Sequence, residues 1–313
     1  MESVTRVAVE TLFLVMIAPA IVGYLRWLKA RLQSRRGAGL LQPYRELHKT
    51  FAKGMVIAHS ASWIFHVVPF VVAGAVVTAA TLVPTIHADQ PADRLGDLFV
   101  LASLLMLSTV ALAMGGLDTG TAFGGMGSSR EMTVAALTEP TLAVAVLAVA
   151  LASGSTSLGA ITNGLIARPE SAFGPGHVLA FAAFFVAMLA ETGRLPVDNP
   201  ETHLELTMIH EAMVLEYSGR YLAVLEWAAA VKVALLLTLA ANIFVPWGLA
   251  QSDGPMAVLA GIGSIMLKLL VLATLLAVLE ARVAKLRLFR VPELLALSFT
   301  LAVIAAASSF FTL

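Results

Sequence analysis

The chain has no cysteine. Disulfides are excluded, and so are iron–sulfur clusters and zinc ions held by thiolates. Any redox centre bound through protein sulfur must sit on another chain, so this polypeptide is not expected to do electron chemistry by itself. Charge is scarce as well: 13% of the 313 residues are Asp, Glu, Lys or Arg, whereas 59% are hydrophobic and the mean hydropathy is +0.88. Soluble proteins of this length do not have that balance. Twenty basic residues offset twenty acidic ones, and nothing in the total points to nucleic acid. There is no repeat at fixed spacing, no low-complexity tail, no interdomain linker and no period-two alternation of the kind a membrane β-barrel needs. HExxH, GxxxxGK[ST] and GxSxG are absent too, which argues against a zinc hydrolase, a phosphate loop and a serine hydrolase.

What the chain does have is long apolar runs. A spanning helix needs roughly 20 mostly apolar residues, and eight windows qualify, at about 7–27, 63–86, 97–117, 132–153, 172–193, 221–247, 256–280 and 291–312. Neither residues 171–190 nor residues 64–86 carry Asp, Glu, Lys or Arg; each run contains one histidine, His177 and His66. The first window lacks a basic n-region, contains Glu10 and has no small-residue cleavage site before the basic run, so it reads as a retained span. The expected class is all-α: a polytopic membrane bundle of about eight transmembrane helices, forming one integral membrane domain over residues 1–313. The segment Gln42 to Gly54, QPYRELHKTFAKG, has the basic amphipathic character of an interfacial helix, although topology signalling explains its charge equally well.

Basic residues set the orientation. With eight spans, the loops Arg26 to Lys53 and Arg282 to Arg290 fall on one side with Arg130, Arg194 and Arg220, giving fifteen bases against three on the other. Positive loops face the cytoplasm. Long loops are therefore expected inside a prokaryotic plasma membrane, with both termini outside.

Ionisable groups within hydrocarbon cost about 2.5–3.5 kcal/mol each, so they usually face protein or a wet cavity. Glu139, some seven residues into the fourth window and followed by Pro140, is the clearest case and suits a proton path. Lys232 and Lys268 are further intramembrane charges, for which ion pairing or snorkelling is the favoured reading. Glu10, Glu226, Glu280 and Glu293 lie near span ends, where solvation is expected. The richest stretch is Glu191 to Arg220, ETGRLPVDNPETHLELTMIHEAMVLEYSGR. Pro196 and Pro200 break the helix leaving span five, and Asn199-Pro200 reads as an N-cap with proline at the first helical position, so a cytoplasmic amphipathic helix is expected from about Pro200 to Tyr217. Six acids, Glu191, Asp198, Glu201, Glu205, Glu211 and Glu216, face only Arg194 and Arg220 on the otherwise basic side. On helical spacing Glu201, Glu205 and Glu216 share one face near Met208 and Ile209. Closely spaced carboxylates repel and raise some of their pKa values, which suits proton hand-over; docking of a basic partner is the other reading. His203 and His210 lack a third ligand for a metal. The glycine-rich GGLDTGTAFGGMGSSREM, Gly115 to Met132, is expected to be flexible re-entrant backbone.

Three segments carry a family likeness: RRGAGLLQPYRELHK (Arg35 to Lys49), the glycine-rich stretch, and AETGRLPVDNPETHLELTMIHEAMVLEYSGR (Ala190 to Arg220). They resemble the membrane-anchor subunit of formate hydrogenlyase and related group 4 membrane-bound nickel–iron hydrogenases, which is similar in turn to the ND1 subunit of complex I. The resemblance covers all eight spans. It implies a scaffold joining a cytoplasmic arm, made of hydrogenase large and small subunits and a ferredoxin-like iron–sulfur subunit, to antiporter-like membrane subunits in the lipid bilayer. The nickel–iron centre and iron–sulfur clusters would lie in those partners and none in this chain. It also implies a path on which the bundle glutamate is Glu139 and the loop residues are Glu191, Arg194, Asp198, Glu201 and Glu205, with Glu211 and Glu216 matched only in the hydrogenase branch.

The sequence also departs from the complex I pattern. His203 replaces an acid between Glu201 and Glu205, a base stands in the Lys29 to Arg31 region where a glutamate is usual, Gly37-Ala38 replaces Gly-Pro, and His59, Ser60 and Ser62 stand where acids are expected. These positions lie where a quinone tunnel would begin, so they favour a hydrogenase subunit coupling electron transfer to proton or sodium translocation over a quinone-binding subunit. A stand-alone secondary transporter is the remaining class, and the lack of an inverted repeat speaks against it.

Overall fold

The computed structural model describes residues 2–88, 96–198 and 208–311. Eleven α-helices are described: α1 (Glu2–Leu32), α2 (Gln42–Ala52), α3 (Trp63–Leu82), α4 (Leu98–Asp118), α5 (Ala122–Ser153), α6 (Leu158–Ala167), α7 (Pro175–Glu191), α8 (His210–Val214), α9 (Gly219–Phe244), α10 (Pro255–Arg282) and α11 (Val291–Phe311). Among the described residues no sheet forms. The ends follow local chemistry: Ser62, Asp97 and Thr121 cap α3, α4 and α5 through side-chain oxygens, and proline opens α2, α7 and α10.

Helix α9 is the hub. Every residue from Val233 to Phe244 is buried, as expected of a helix apolar on all sides. Around it pack α1, α3 and α10, while α5, α7 and α11 form a second group that reaches α9 through α7. The aliphatic core runs continuously from Leu14 and Ala18 on α1 through Leu235 to Leu237 on α9 to Ala302 and Ala305 on α11.

The protein is a multi-pass helical membrane bundle. Among the described residues, seven helices are long and apolar enough to cross a membrane. The expected fifth span contains a 17-residue helix, α7, preceded by a short 3-10 turn at Pro169–Phe173. Such a helix is about 26 Å long, the shortest of the expected set.

Four expectations need correction. The fourth span begins ten residues before the expected 132, at Ala122, which puts Glu139 deep in a 32-residue helix instead of near its start. The glycine-rich stretch is not re-entrant backbone but the end of α4 and the start of α5. Its glycines allow close helix crossing: a Cβ on Gly127 would stand 2.8 Å from the Ala212 side chain and 3.0 Å from the Ile209 carbonyl, both next to or within α8. The third span ends as helix at Leu82, and residues 83–88 continue as buried irregular chain. Finally, a continuous helix from Pro200 to Tyr217 does not form, since Met208 and Ile209 are buried and non-helical and helix resumes only over His210–Val214. Asn199, Pro200, Glu201, His203 and Glu205 lie outside the described residues.

Candidate functional site

Where α7 ends, the chain turns across the bundle and leaves a cavity of about 740 Å³ between α1, α2, α4, α5, α9 and residues 192–198. One wall is apolar, with Pro19, Val22 and Leu25 from α1 and Val72 and Val76 from α3. The other is charged. Glu191, the last residue of α7, points inward and is buried; its Oε1 lies 2.6 Å from the Lys232 Nζ. Thr109 of α4 sits between them. Its Oγ1 donates to Glu191 Oε1 at 3.2 Å and accepts from Lys232 Nζ at 3.2 Å. Glu139 lies near enough to Thr109, Glu191 and Lys232 to interact with them. One Glu139 carboxylate oxygen, Oε1, is buried with no hydrogen-bond partner. The result is a file of exchangeable groups, Lys232, Glu191, Thr109 and Glu139, that leads from the cavity into the bundle.

Two further ion-pair sets shape the rim. Glu280 of α10 is buried and bridges Arg194 at 2.7 Å and Lys29 of α1 at 3.2 Å. Asp198 pairs with Lys285 at 2.7 Å, and its other oxygen accepts the backbone N–H groups of Ile209 and His210 at the start of α8. The Leu286 N–H also donates to the Pro196 carbonyl. Residues 194–198 are thus strapped to residues 280–286 by two salt bridges and a backbone bond. Charges taken out of water need such partners, because a lone buried ion is strongly destabilising.

His210 borders the cavity, and burial together with the nearby Lys232 ammonium lowers its pKa to about 4, against the opposing pull of Asp198. It is neutral at pH 7. Among the described residues no group of three or more His, Asp or Glu side chains is placed to hold a metal ion.

The structure brings most of the expected residues together. Glu191, Arg194, Asp198, Glu211 and Lys232 line the cavity and Glu139 lies next to it, while Glu201 and Glu205 fall outside the described residues. Glu216 is partly buried and does not line the cavity. Lys232 is ion-paired, as favoured. Lys268 is elsewhere in the bundle, donating to Asn242 at 3.1 Å. Two expectations of solvation were wrong: Glu280 is buried between two bases, and Glu10 is buried against His87. Glu226 and Glu293 are exposed, as expected.

A family model described as NADH dehydrogenase matches residues 5–311. The chain belongs to that family. It is 33% identical over 300 residues to formate hydrogenlyase subunit 4 of Escherichia coli (strain K12), covering 96% of each chain. It is 34% identical over 296 residues to hydrogenase-4 component C of the same organism, covering 95% of this chain and 92% of that one. A subunit of the NADH-quinone oxidoreductase of Pelagibacter ubique (strain HTCC1062) is more distant, 26% identical over 319 residues, covering 96% and 94%. In three dimensions the fold matches a chain of the membrane-bound sulfane sulfur reductase, an archaeal respiratory membrane complex, with a TM-score of 0.81 at 20% identity over 99% of this chain and 100% of that one.

Sequence reasoning missed several polar residues of this family member's cavity. Glu131 of α5 is buried and lines it, but it was hidden because the glycine-rich stretch was read as loop. The small residues Gly124 and Ser128, four apart, were the available sign of a closely packed helix. Lys285 gave no signal, Lys29 stood out only as a departure from the complex I pattern and Glu280 only as a span-end acid, since each sits in or near the last turn of a long helix where solvation is the default. Thr109 carries no charge to draw attention to it.

Proposed function

We propose that this chain is the integral membrane subunit of a membrane-bound nickel–iron hydrogenase complex of the formate hydrogenlyase type. In this reading it forms one membrane domain that anchors the cytoplasmic redox arm and couples electron transfer to movement of protons or sodium ions. The nickel–iron centre and iron–sulfur clusters supply the electron chemistry from the partner subunits. The partners are the hydrogenase large and small subunits, a ferredoxin-like iron–sulfur subunit and antiporter-like membrane subunits. The long loops face the cytoplasm of a prokaryotic plasma membrane, and both termini lie outside.

The observation that carries the proposal is the file Lys232, Glu191, Thr109, Glu139, which leaves a charged cavity and ends on a carboxylate with a buried unpartnered oxygen. A change of charge in the docked arm alters the balance among Glu191, Arg194, Asp198 and Glu211 at the cavity, with Glu201, Glu205 and Glu216 contributing from the loop. Lys232 stands against the Glu191 carboxylate at 2.6 Å. When that field changes, a proton passes through water in the cavity and over the Thr109 hydroxyl to Glu139. Coupling through adjacent titratable groups needs no covalent step here. The test is Glu139→Gln in the assembled complex. Hydrogen formation should be largely kept while ions moved per hydrogen fall about a hundredfold, the lower end of a general acid–base contribution. An unchanged ratio would refute the relay.

The apolar wall of Pro19, Val22, Leu25, Val72 and Val76 supports a second reading, in which the cavity holds a lipid-soluble quinone. An absolute requirement for quinone in hydrogen or formate oxidation by the purified complex would favour it.

A further inference from the structure

At the opposite end of α1 from Lys29 lies a second polar cluster, which the proposed relay does not use. Residues 83–88, between α3 and α4, are buried although they are not helical, so their backbone groups need partners. Glu10 of α1, itself buried, accepts the N–H groups of Thr85, Ile86 and His87 at 3.2, 3.2 and 3.3 Å. Asn242 of α9 donates to the Pro84 and Thr85 carbonyls and accepts from Lys268. Ala250, in the connection before α10, exchanges backbone bonds with Ile86 and Ala88. His87 joins the pieces: its Nδ1 lies 2.6 Å from Glu10 Oε1, and its Nε2 lies 3.6 Å from Asp253 Oδ1, with Asp253 paired to Arg6 as well.

We propose that Arg6, Glu10, His87 and Asp253 form a proton-responsive latch that holds residues 250–253, ahead of α10, against the buried 83–88 segment at the end of the bundle remote from the cavity. Three observations support this. The His87 Nε2 is buried with no hydrogen-bond partner in a ring that is itself buried. A ring that faces one carboxylate with each nitrogen holds both only when it carries two protons. And the segment it closes over has no helix or sheet of its own to keep it in place. Among the described residues, the charged groups facing His87 are Arg6 and Glu10 from α1, Asp253 from the connection before α10 and, through Asn242, Lys268 from α10.

The sign follows from the valence of the ring. Loss of the second proton removes the attraction to Asp253 and leaves the Glu10 bond in place. The latch is therefore closed while the ring carries both protons and loosens when it loses one. It reports acidity at the end of the bundle away from the cavity, and acidification there tightens it.

The absence of native cysteine makes a labelling test clean. Ala88→Cys, at a buried position, and Ser252→Cys, at an exposed one, are each placed in the full complex in broken membranes and reacted with a small maleimide. The Ala88 to Ser252 rate ratio removes the pH dependence of the thiol itself. The ratio should rise at least threefold between about pH 5.5 and about pH 8.5. Asp253→Asn, an exposed change that leaves the fold intact, and His87→Gln should each abolish that rise. A flat ratio in the parent, or a rise that survives Asp253→Asn, overturns the proposal.

Discussion

The protein holds buried carboxylates in two different ways. Around the cavity, Glu191, Glu280 and Asp198 are each met by the end of a long basic side chain, and open space of about 740 Å³ lies beside them. At the other end of α1, Glu10 is met by three backbone N–H groups and a histidine ring, and the surrounding chain is packed. Flexible ammonium and guanidinium groups next to a void can rearrange as charge moves, whereas backbone amides cannot follow a proton. The first arrangement suits a relay and the second suits a fixed joint closed by the His87 ring.

The contrast is sharpened most by removing the carboxylate with two cationic partners. Glu280→Ala strands Lys29 and Arg194 in a buried setting and should lower stability by about 3–5 kcal/mol, read as thermal unfolding of the detergent-solubilised complex; a change below about 1 kcal/mol would show that water in the cavity solvates both bases. Next is the pH dependence of His210. Its folded pKa is lowered from the ordinary 6.5 to about 4, so the neutral ring contributes stability above about pH 6.5 that is lost as pH falls toward 4. The loss amounts to about 3 kcal/mol at most, an upper bound because water in the cavity solvates the charged ring. A His210→Gln variant should flatten that part of the pH–stability curve. Glu10→Gln keeps one acceptor but sets an amide NH2 against backbone donors, and should cost about 2 kcal/mol with no effect on ion movement per turnover. If it abolished ion movement, the division between joint and relay would break. The smallest effect belongs to the exposed Arg26–Glu46 pair, 2.7 Å apart with Arg26 58% exposed. Arg26→Ala should change stability by less than about 1 kcal/mol, and less still at high salt.

Much of the fold was legible in the chain itself. Continuous apolar runs declare spanning helices because hydrocarbon cannot satisfy a free backbone, and Glu139 and Lys232 stand out in such runs for the same reason. Legibility failed where a local rule had two outcomes. Glycines read as loop proved to be helix surface, because Gly116, Gly124 and Gly127 let α4, α5 and α8 approach closely. Of the four glutamates near span ends, Glu10 and Glu280 are buried and Glu226 and Glu293 exposed, because a residue near a span end faces water or a neighbour according to where the next helix lies. Residues 208–217 read as part of one amphipathic helix, yet Asp198 draws the N–H groups of Ile209 and His210 onto its carboxylate and starts a short helix there.

By itself the sequence determined that the protein is a helical membrane bundle without a thiol-bound cofactor and that its intramembrane charges must face protein or a wet cavity, because composition and the length of apolar runs fix which groups can meet lipid. Only the tertiary structure decided which charge answers which. Lys29 and Glu280 are 251 positions apart, and Glu10 and His87 are 77 apart. Partners so distant are chosen by how α1, α9 and α10 pack, and side-chain spacing along the chain carries no trace of that choice.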